Sequence, residues 1–313
     1  MSLRHDMTMT RTEDQEKARR AGGRFMLLHP GILFMRLIAP WPLPVLRGMG
    51  TALGWLLYGL MFPRRRVIMT NLALCFPDEP LAVRRRWARA CCVHFAQAFL
   101  DRAWLWHGNP EVVRRRLQLK GAVREFDGDT PTVVFAPHFL GLDAGGAALS
   151  QQVNRSFVSI YMPQRSKTVD AWLHAGRMRF GQVQLFERKD GVKGIVAAVR
   201  AGGLLYLLPD LNYGPRESIF VPFFGLPTAT VPSLPRFARL GRAKVVPVTS
   251  RITPSGYEIE VHPAWPHYPG ADEATDTAAM NRWLEGAIKT MPDQYYWVHK
   301  RFKTRPEGEP PVY

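Results

Sequence analysis

The chain has 313 residues, 46% of them hydrophobic, which is enough for one large domain with a sizeable core and a smaller appended segment. With 42 lysines and arginines against 26 acidic residues, it carries a formal charge of +16. Such a surface favours anionic partners, namely nucleic acid, anionic lipid headgroups or an acidic protein, although general solubility is an alternative reason. The three cysteines form no CxxC pair, and this odd, low count argues against a disulfide scaffold and fits a reducing compartment.

The N-terminal quarter begins with a polar, basic stretch, residues 1–24, that we interpret as a disordered arm. The next segment, residues 25–66, is strongly apolar up to Phe62, apart from Arg36, Arg47 and several prolines, and it ends on Arg64-Arg65-Arg66. The longest uncharged part, residues 48–62, is shorter than the roughly 20 residues of a bilayer span, and a longer span includes Arg47, which would have to snorkel. We predict a membrane-anchoring helical segment that either spans the bilayer or lies in its interface. An amphipathic helix packed on the protein's own core is the alternative.

In the central part of the chain, a purely helical pattern is followed by alternating strands and helices. Residues 67–120 are predicted to be helical, with a start signal at Pro77-Asp78-Glu79-Pro80. Short β-branched runs then predict strands, and periodic apolar segments between them predict helices. The predicted strands are 132–136, 156–161, 204–208, 244–249 and 257–262, and the predicted helices are 143–152, 169–180, 191–201, 232–240 and 277–291. This alternation predicts an α/β domain over residues 67–303, with a mostly parallel central sheet flanked by helices, followed by an extended tail, residues 304–313.

One polar pair follows the first predicted strand of the α/β pattern. His138 and Asp143 lie five positions apart in the otherwise apolar run 136–146. On one continuous helix they would be offset by about 140°, so they meet only if the chain bends between them, which Gly141 permits. A histidine oriented by a carboxylate is what general-base catalysis requires. The alternative is a buried, hydrogen-bonded histidine beside a helix-capping aspartate.

Later in the chain, a polar turn is followed by an apolar segment. Asp210 lies in a polar turn after a predicted strand, and the segment 219–230 that follows is rich in Phe, Pro and Gly. This combination predicts an apolar groove with a polar mouth, which suits an acyl chain with a reactive head. An aromatic core loop is the alternative.

These motifs, in this order, carry a resemblance from about residue 25 to the C-terminus. The chain resembles the lipid A late acyltransferases, the lauroyl and myristoyl transferases of Gram-negative lipopolysaccharide synthesis, within the wider glycerolipid acyltransferase superfamily. The matching residues are His138 with Asp143 (the H-x4-D/E signature), Asn71-Leu72 with Cys75-Phe76-Pro77, Tyr161-Met162-Pro163, Arg177-Met178-Arg179, Arg188-Lys189-Asp190, Pro209-Asp210 with Tyr213-Gly214-Pro215, Phe220-Val221-Pro222-Phe223-Phe224-Gly225, and the run 292–306. Leu211 and Asn212 depart from the family pattern, which leaves Asp210 as the acidic group of its turn.

The resemblance implies transfer of a fatty acyl group from acyl carrier protein to a hydroxyl of a lipid A precursor. His138 would be the general base and Asp143 would orient it. Arg177 is the first candidate for a contact to the oxyanion or a phosphate, followed by Arg179 and Arg188, with Asp210 as a further substrate-binding group. No cofactor or metal is implied, and no serine or cysteine motif indicates a covalent intermediate.

The basic charge then has specific expected partners: acyl carrier protein, the lipid A precursor and the anionic surface of the cell inner membrane. The catalytic domain is expected on the cytoplasmic side. An acyltransferase for another membrane lipid, such as a glycerophospholipid or an ornithine lipid, is the main alternative. A membrane-surface module without chemistry is a further one. A nucleic-acid-binding protein is disfavoured because no nucleic-acid motif is recognised.

Overall fold

The computed structural model describes residues 29–313. The predicted basic arm, residues 1–24, and the first four residues of the predicted anchoring segment lie outside the described residues. Five helices come first along the chain, and a proline stands within one residue of the start of each, where its missing N–H costs nothing. They are α1 (Pro30–Ile38), α2 (Leu43–Leu60), α3 (Phe62–Cys75), α4 (Leu81–His107) and α5 (Pro110–Arg116).

The α/β part has seven strands in one sheet. In chain order these are β1 (Leu117–Gly121), β2 (Thr132–Phe135), β3 (Ser156–Tyr161), β4 (Gln182–Glu187), β5 (Leu204–Leu207), β8 (Lys244–Thr253) and β9 (Gly256–Val261). Their spatial order is β1-β9-β8-β2-β5-β3-β4. All neighbouring pairs are parallel except β8 and β9, which form an antiparallel hairpin. The predicted mostly parallel α/β sheet is therefore confirmed.

Helices and one separate hairpin complete the domain. The helices are α6 (Leu142–Gln152), α7 (Lys167–Arg177), α8 (Lys193–Arg200), α9 (Ser233–Gly241) and α10 (Glu273–Thr290), and the hairpin joins β6 (Ile219–Phe223) to β7 (Leu226–Thr230). Every predicted strand and helix from residue 132 onward has a counterpart, but β4, β6 and β7 were not predicted. The helical prediction for 67–120 is wrong at its end, because β1 pairs there with β9. All three cysteines are buried, as expected of packing residues.

Helix α2 packs against α4 with almost no space between the two backbones. A Cβ atom at Gly54 would lie 2.3 Å from Val93 Cα, and one at Gly50 would lie 2.6 Å from Gln97 Cγ. Only glycine permits this approach, because any larger residue would push the helices apart. One side of α2 is thus closed against the protein.

Arg47 belongs to this closed side and does not snorkel towards a membrane surface, which corrects the sequence-based expectation. Its Nη1 lies 2.7 Å from Asp101 Oδ2, and that carboxylate is 2% exposed. Tyr257 donates a hydrogen bond of 2.6 Å to the same oxygen, and Trp104 donates one of 2.8 Å to Oδ1. A charge buried this deeply needs such partners. Burial nevertheless raises the pKa of Asp101, against the lowering effect of Arg47 and the two donors.

The opposite sides of α1 and α2 are apolar and exposed. Of the 17 large apolar side chains that are exposed among the described residues, ten lie between residues 33 and 62. We call this group the apolar face: Leu33, Phe34, Leu37, Trp41, Val45, Trp55, Leu56, Leu60, Met61 and Phe62. From residue 29 to 313, no single helix has the length and apolar character to cross a bilayer, whereas α2 and α3 together, bent by 91°, meet that test by length and composition.

Candidate active site

His138 lies just beyond the carboxyl end of β2. The strand ends at Phe135, two residues before Pro137, whose ring lacks the N–H that a ladder needs. The His138 imidazole Nδ1 is 2.7 Å from Asp210 Oδ1, and the backbone N–H of His138 donates a 3.0 Å hydrogen bond to Asp210 Oδ2. Both oxygens of one carboxylate therefore hold one histidine in place.

Asp210 reaches His138 because of the sheet topology. It follows β5, which is hydrogen-bonded to β2 in parallel register, so the two carboxyl ends meet at one edge of the sheet. The Asp210 side chain is 0% exposed, and it also accepts a 2.8 Å hydrogen bond from the Tyr295 hydroxyl. Burial alone would raise the pKa of Asp210, but the His138 charge and these hydrogen bonds outweigh burial and lower the pKa. The carboxylate is thus held in its ionised form.

The His138 ring has one nitrogen left for chemistry. With Nδ1 bonded to Asp210, Nε2 is the free nitrogen, and the side chain keeps 15% of its surface exposed. The backbone of residues 294–296 holds the main chain around His138, since Leu140 N–H donates to Gln294 O and Tyr296 N–H donates to His138 O. The Tyr296 ring centre lies 6.2 Å from that of His138. This arrangement leaves a fixed imidazole with an accessible Nε2, as a general base requires.

Asp143 does not orient His138 in this structure, which corrects the role expected from their spacing. Asp143 lies in the first turn of α6, and within residues 29–313 no hydrogen bond joins it to His138. Its Oδ2 accepts a 2.8 Å hydrogen bond from Arg102 Nε and lies 2.8 Å from Arg102 Nη2 in an ion pair, and Oδ1 accepts a 3.1 Å hydrogen bond from Arg177 Nε. Burial would raise the pKa of Asp143, but the two guanidinium groups outweigh it and lower the pKa to about 2.

The chain bends between His138 and Asp143, but the bend does not depend on a glycine conformation at Gly141. Gly141 has φ −81°, a value open to any residue. The position needs glycine for space, because a Cβ there would lie 2.9 Å from Ser250 O. The H-x4-D spacing therefore brings Asp143 to the arginines and not to the imidazole.

A small cavity of about 80 Å³ adjoins these groups. Phe95, Ala98, Phe99, Leu140, Leu142 and Tyr296 supply most of its apolar lining, and Arg102 with Asp143 supplies polar lining. Arg102 is also held against the rings of Phe99 and Trp106, at 5.6 Å and 5.3 Å from their centres. The site thus combines a histidine held by a carboxylate, an apolar wall and two arginines. The two arginines share one carboxylate, Asp143, so the cluster keeps one excess positive charge.

The expected groove in segment 219–230 is wrong. That segment forms the β6–β7 hairpin, in which Val221 and Phe223 alternate inward and are buried, while Phe220 is exposed. Phe223 packs against Phe224 and Phe302. The aromatic core alternative holds here, and the apolar lining of the cavity beside Asp143 is supplied mainly by α4.

The remaining predicted arginines lie elsewhere. Arg179 donates a 2.8 Å hydrogen bond to Leu105 O and another to Gly108 O, which fixes the end of α4. Arg188 pairs with Glu217 and lies over the Tyr213 ring at 5.6 Å. Neither residue contacts His138, Asp210 or Asp143 among the described residues, so of the three predicted arginines only Arg177 joins the site.

Sequence reasoning missed Arg102 and did not assign a role to Tyr295. Arg102 lies in the middle of α4, 41 positions before Asp143, and nothing in its local pattern marks it as different from the other arginines of that helix. Tyr295 lies within the run 292–306 that carried part of the family resemblance, which was the one available signal. Their contacts depend on how distant elements pack, which no local motif encodes.

The nearby His299 is not a second base of this type. Its Nε2 accepts a 3.0 Å hydrogen bond from the backbone N–H of Asn212. Burial, together with the positive charges of Arg301 and His138, lowers the pKa of His299 to about 4. Its lone pair is therefore engaged in holding the turn after Asp210.

Comparisons with known proteins agree on one family. The family model for the bacterial lipid A biosynthesis acyltransferases matches residues 14–304. The chain is 32% identical to a lipid A biosynthesis lauroyltransferase of Escherichia coli (strain K12), covering 92% of this chain and 97% of the relative. It is 29% identical to the palmitoleoyltransferase of the same organism, covering 93% and 95%. Its identity to the myristoyltransferase is 32%, covering 78% and 77%.

Similar proteins include a solved structure. It is the 1-acyl-sn-glycerophosphate (LPA) acyltransferase PlsC from Thermotoga maritima, with a TM-score of 0.38 and 10% identity, covering 78% of this chain and 97% of that one. The family assignment comes from the sequence matches. The chain is therefore an acyltransferase that belongs to the bacterial lipid A biosynthesis acyltransferase family.

Proposed function

We propose that this acyltransferase transfers a fatty acyl group from acyl carrier protein to a hydroxyl of a lipid A precursor, with His138 as general base. The observation that carries the proposal is the His138–Asp210 pair beside an apolar cavity and the Asp143-linked arginines. The names of the similar proteins support a lipid A precursor as acceptor.

In the proposed reaction, His138 Nε2 takes the proton of the acceptor hydroxyl as its oxygen attacks the carbonyl carbon of the thioester. The tetrahedral intermediate then collapses, the C–S bond breaks, and the imidazolium returns its proton to the departing thiolate. The products are an ester and a free thiol. Asp210 holds the imidazole through Nδ1 and stabilises its positive charge. Base catalysis of this type contributes about 10² to 10⁴-fold in rate.

Arg177 is the proposed electrostatic partner of the reacting groups. Asp143 holds Arg177 only through Nε, and the two Nη groups donate no hydrogen bond to any described residue. The Arg177 side chain is 34% exposed, so these donors are open to a ligand. They are suited to a developing oxyanion or to a phosphate of the acceptor. Arg102 and Asp143 act as positioning residues for it.

The proposed acyl-chain site begins at the apolar cavity between α4 and α6. Its aromatic and aliphatic lining matches the carbons next to the thioester. No cofactor is part of the proposal, because the base, its carboxylate and the cationic donors are all side chains of this chain. No serine or cysteine nucleophile is invoked either.

We also propose that the protein works at the anionic surface of the cell inner membrane, with its catalytic domain on the cytoplasmic side. The apolar face of α1 and α2 would lie in the lipid interface, while the other side of α2 stays packed on α4. The charge of +16 would attract acyl carrier protein, which is acidic, and the phosphates of the lipid substrate.

An in vitro assay tests the proposal. Purified full-length protein is mixed with defined acyl carrier protein thioesters and a tetraacyl lipid A precursor, and ester formation is followed by mass spectrometry. We expect transfer by the wild type and a loss of about 10² to 10⁴-fold in His138→Ala. The control is Arg282→Gln, which removes an exposed arginine of α10. Equal rates for wild type and His138→Ala would refute the assigned base.

A deletion strain separates the main alternative acceptors. Lipid A that lacks one acyl chain in the deletion strain supports the proposal. Unchanged lipid A together with altered glycerophospholipids or ornithine lipids would contradict it and identify a different acceptor.

A further inference from the structure

A second cavity lies where α2, α3 and α4 meet, and none of the active-site residues described above lines it. Its volume is about 380 Å³, and its lining residues are Tyr58, Arg65, Met69, Leu81 and Arg85. Two guanidinium groups thus face one space, and none of the described acidic side chains lines it. Two cations without a carboxylate form an anion site.

The two arginines differ in how firmly they are held. Arg65 donates a 3.3 Å hydrogen bond to Tyr58 O and lies over the rings of Tyr58 and Phe62, at 5.2 Å and 4.7 Å from their centres. Arg85 is exposed and forms no ion pair among the described residues. The site therefore has one fixed cation and one that is available to a ligand.

The surroundings of the cavity indicate what kind of anion would reach it. Leu60 and Phe62, at the α2–α3 corner, are 65% and 60% exposed, and Leu81 in the cavity lining is 48% exposed. Tyr58 lies between Leu56 and Leu60 of the apolar face along α2. A cationic cavity at the edge of an apolar face matches the depth at which a lipid carries its phosphate above its acyl chains.

We propose that this cavity binds the phosphate of an anionic lipid headgroup, with Arg65 and Arg85 as its ligands. The inference rests on the proposed membrane association of the apolar face. A phosphate oxygen pair would accept hydrogen bonds from the two guanidinium groups while the acyl chains lie against Leu60 and Phe62. The site would fix the rotation of the protein on the membrane, because it adds one directional contact to a non-directional apolar one.

Vesicle binding of the full-length protein tests this assignment. Sedimentation with pure phosphatidylcholine vesicles measures the apolar contact, and sedimentation with vesicles containing phosphatidylglycerol measures the additional anionic preference. We expect Arg85→Gln to reduce that preference about fivefold and Arg85→Glu to reduce it further, since each arginine near an anionic surface contributes roughly fivefold. Binding of both variants to phosphatidylcholine should stay at the wild-type level.

The matched control is Arg282→Glu, which makes the same charge change at an exposed position of α10. Equal losses in Arg85→Glu and Arg282→Glu would overturn the site in favour of diffuse attraction by net charge. Inorganic phosphate, titrated by calorimetry without vesicles, is the second probe. Tight binding that Arg85→Glu abolishes and that anionic vesicles do not displace would assign the cavity to free phosphate and overturn the lipid assignment.

The vesicle assay tests the cavity independently of the proposed acyl transfer. The vesicle assay contains no acyl donor, so it reports on the cavity whether or not acyl transfer occurs. Failure of the wild type to bind either vesicle would instead refute the membrane association on which the inference rests.

Discussion

The imidazole of His138 and the carboxylate of Asp210 lie 2.7 Å apart although 72 positions separate them in the sequence. Neighbouring parallel strands deliver them to the same sheet edge. The carboxylate closest to His138 in sequence, Asp143, instead binds two arginines. The geometry therefore divides the two carboxylates between two tasks, one for the base and one for the cations.

Asp210→Asn should lower kcat by about 10³ to 10⁴-fold, because an amide in this position neither stabilises the imidazolium nor fixes the tautomer. Tyr295→Phe removes one of the hydrogen bonds to Asp210 and should cost less, about 3- to 10-fold. Steady-state acyl transfer measures both. Asp127→Asn, at an exposed position, is the control. A rate for Asp210→Asn close to that of the control would contradict the pairing.

Asp143 should make the stability of the protein depend on acid pH. Its pKa of about 2, against an ordinary value of 3.8, means that its stabilisation is fully present above about pH 4 and is lost as the pH falls towards 2. The contribution is about 2 kcal/mol at neutral pH. Denaturant unfolding of wild type and Asp143→Asn measures the gap, which should be constant from pH 7 to 5 and shrink below pH 4. A gap that does not change with pH would contradict this account.

Breaking the buried pair of Arg47 and Asp101 should be strongly destabilising. Arg47→Met leaves a buried carboxylate without its cation, and Asp101→Asn leaves a buried guanidinium without its anion. Each change should reduce the free energy of unfolding by about 3 to 5 kcal/mol. The double variant should lose less than the sum of the two. Additive losses would show that the two charges do not interact across the α2–α4 contact.

Gly54 and Gly59 form a matched pair within α2. Gly54→Ala places a Cβ 2.3 Å from Val93 Cα, whereas Gly59→Ala meets nothing within 4 Å. The first should destabilise the protein by about 1 to 3 kcal/mol through overpacking. The second should leave stability unchanged or raise it by about 0.5 to 1 kcal/mol. Thermal unfolding of both variants decides the matter, and an equal effect at the two positions would refute the close approach of the helices.

The apolar face should be required for binding to lipid. Leu56→Ser with Leu60→Ser removes two exposed leucines, 54% and 65% exposed, and should weaken binding to phosphatidylcholine vesicles about tenfold or more, since each buried leucine contributes roughly 1.5 to 3 kcal/mol. Leu240→Ser, at a leucine that is 45% exposed on α9, should leave binding at the wild-type level. Similar losses of vesicle binding in the double variant and in Leu240→Ser would indicate nonspecific hydrophobic association of the whole surface.

Local pattern was sufficient for most strands and helices from residue 132 onward and for His138 at a strand end. It also identified Asp210 as the acidic group of its turn. It misassigned Asp143, because five positions of separation suggested contact, while the packing of α6 against α4 and α7 decides where that carboxylate lies. It did not find β4, whose residues are only partly buried, or β1, which lacks a clear alternation.

Arg47 is a second residue whose position local sequence could not predict. As a residue within an apolar stretch, it suggested a charge close to a bilayer surface. Its partner, Asp101, lies 54 positions away on another helix, and only the tertiary contact reveals that the charge is neutralised inside the protein. The glycines of α2 carried a usable signal, because Gly50 and Gly54 are spaced to lie on one side of a helix.

The glycine contact between α2 and α4 joins the apolar face to the candidate active site. Helix α4 lies against Gly50 and Gly54 on one side, and it contributes Phe95, Phe99 and Arg102 to the cavity beside His138. No linker separates the two surfaces. If the apolar face lies in the lipid interface as proposed, helix packing would hold His138 Nε2 at a fixed height above the lipid, and acceptor hydroxyl groups would be selected by their distance from the membrane.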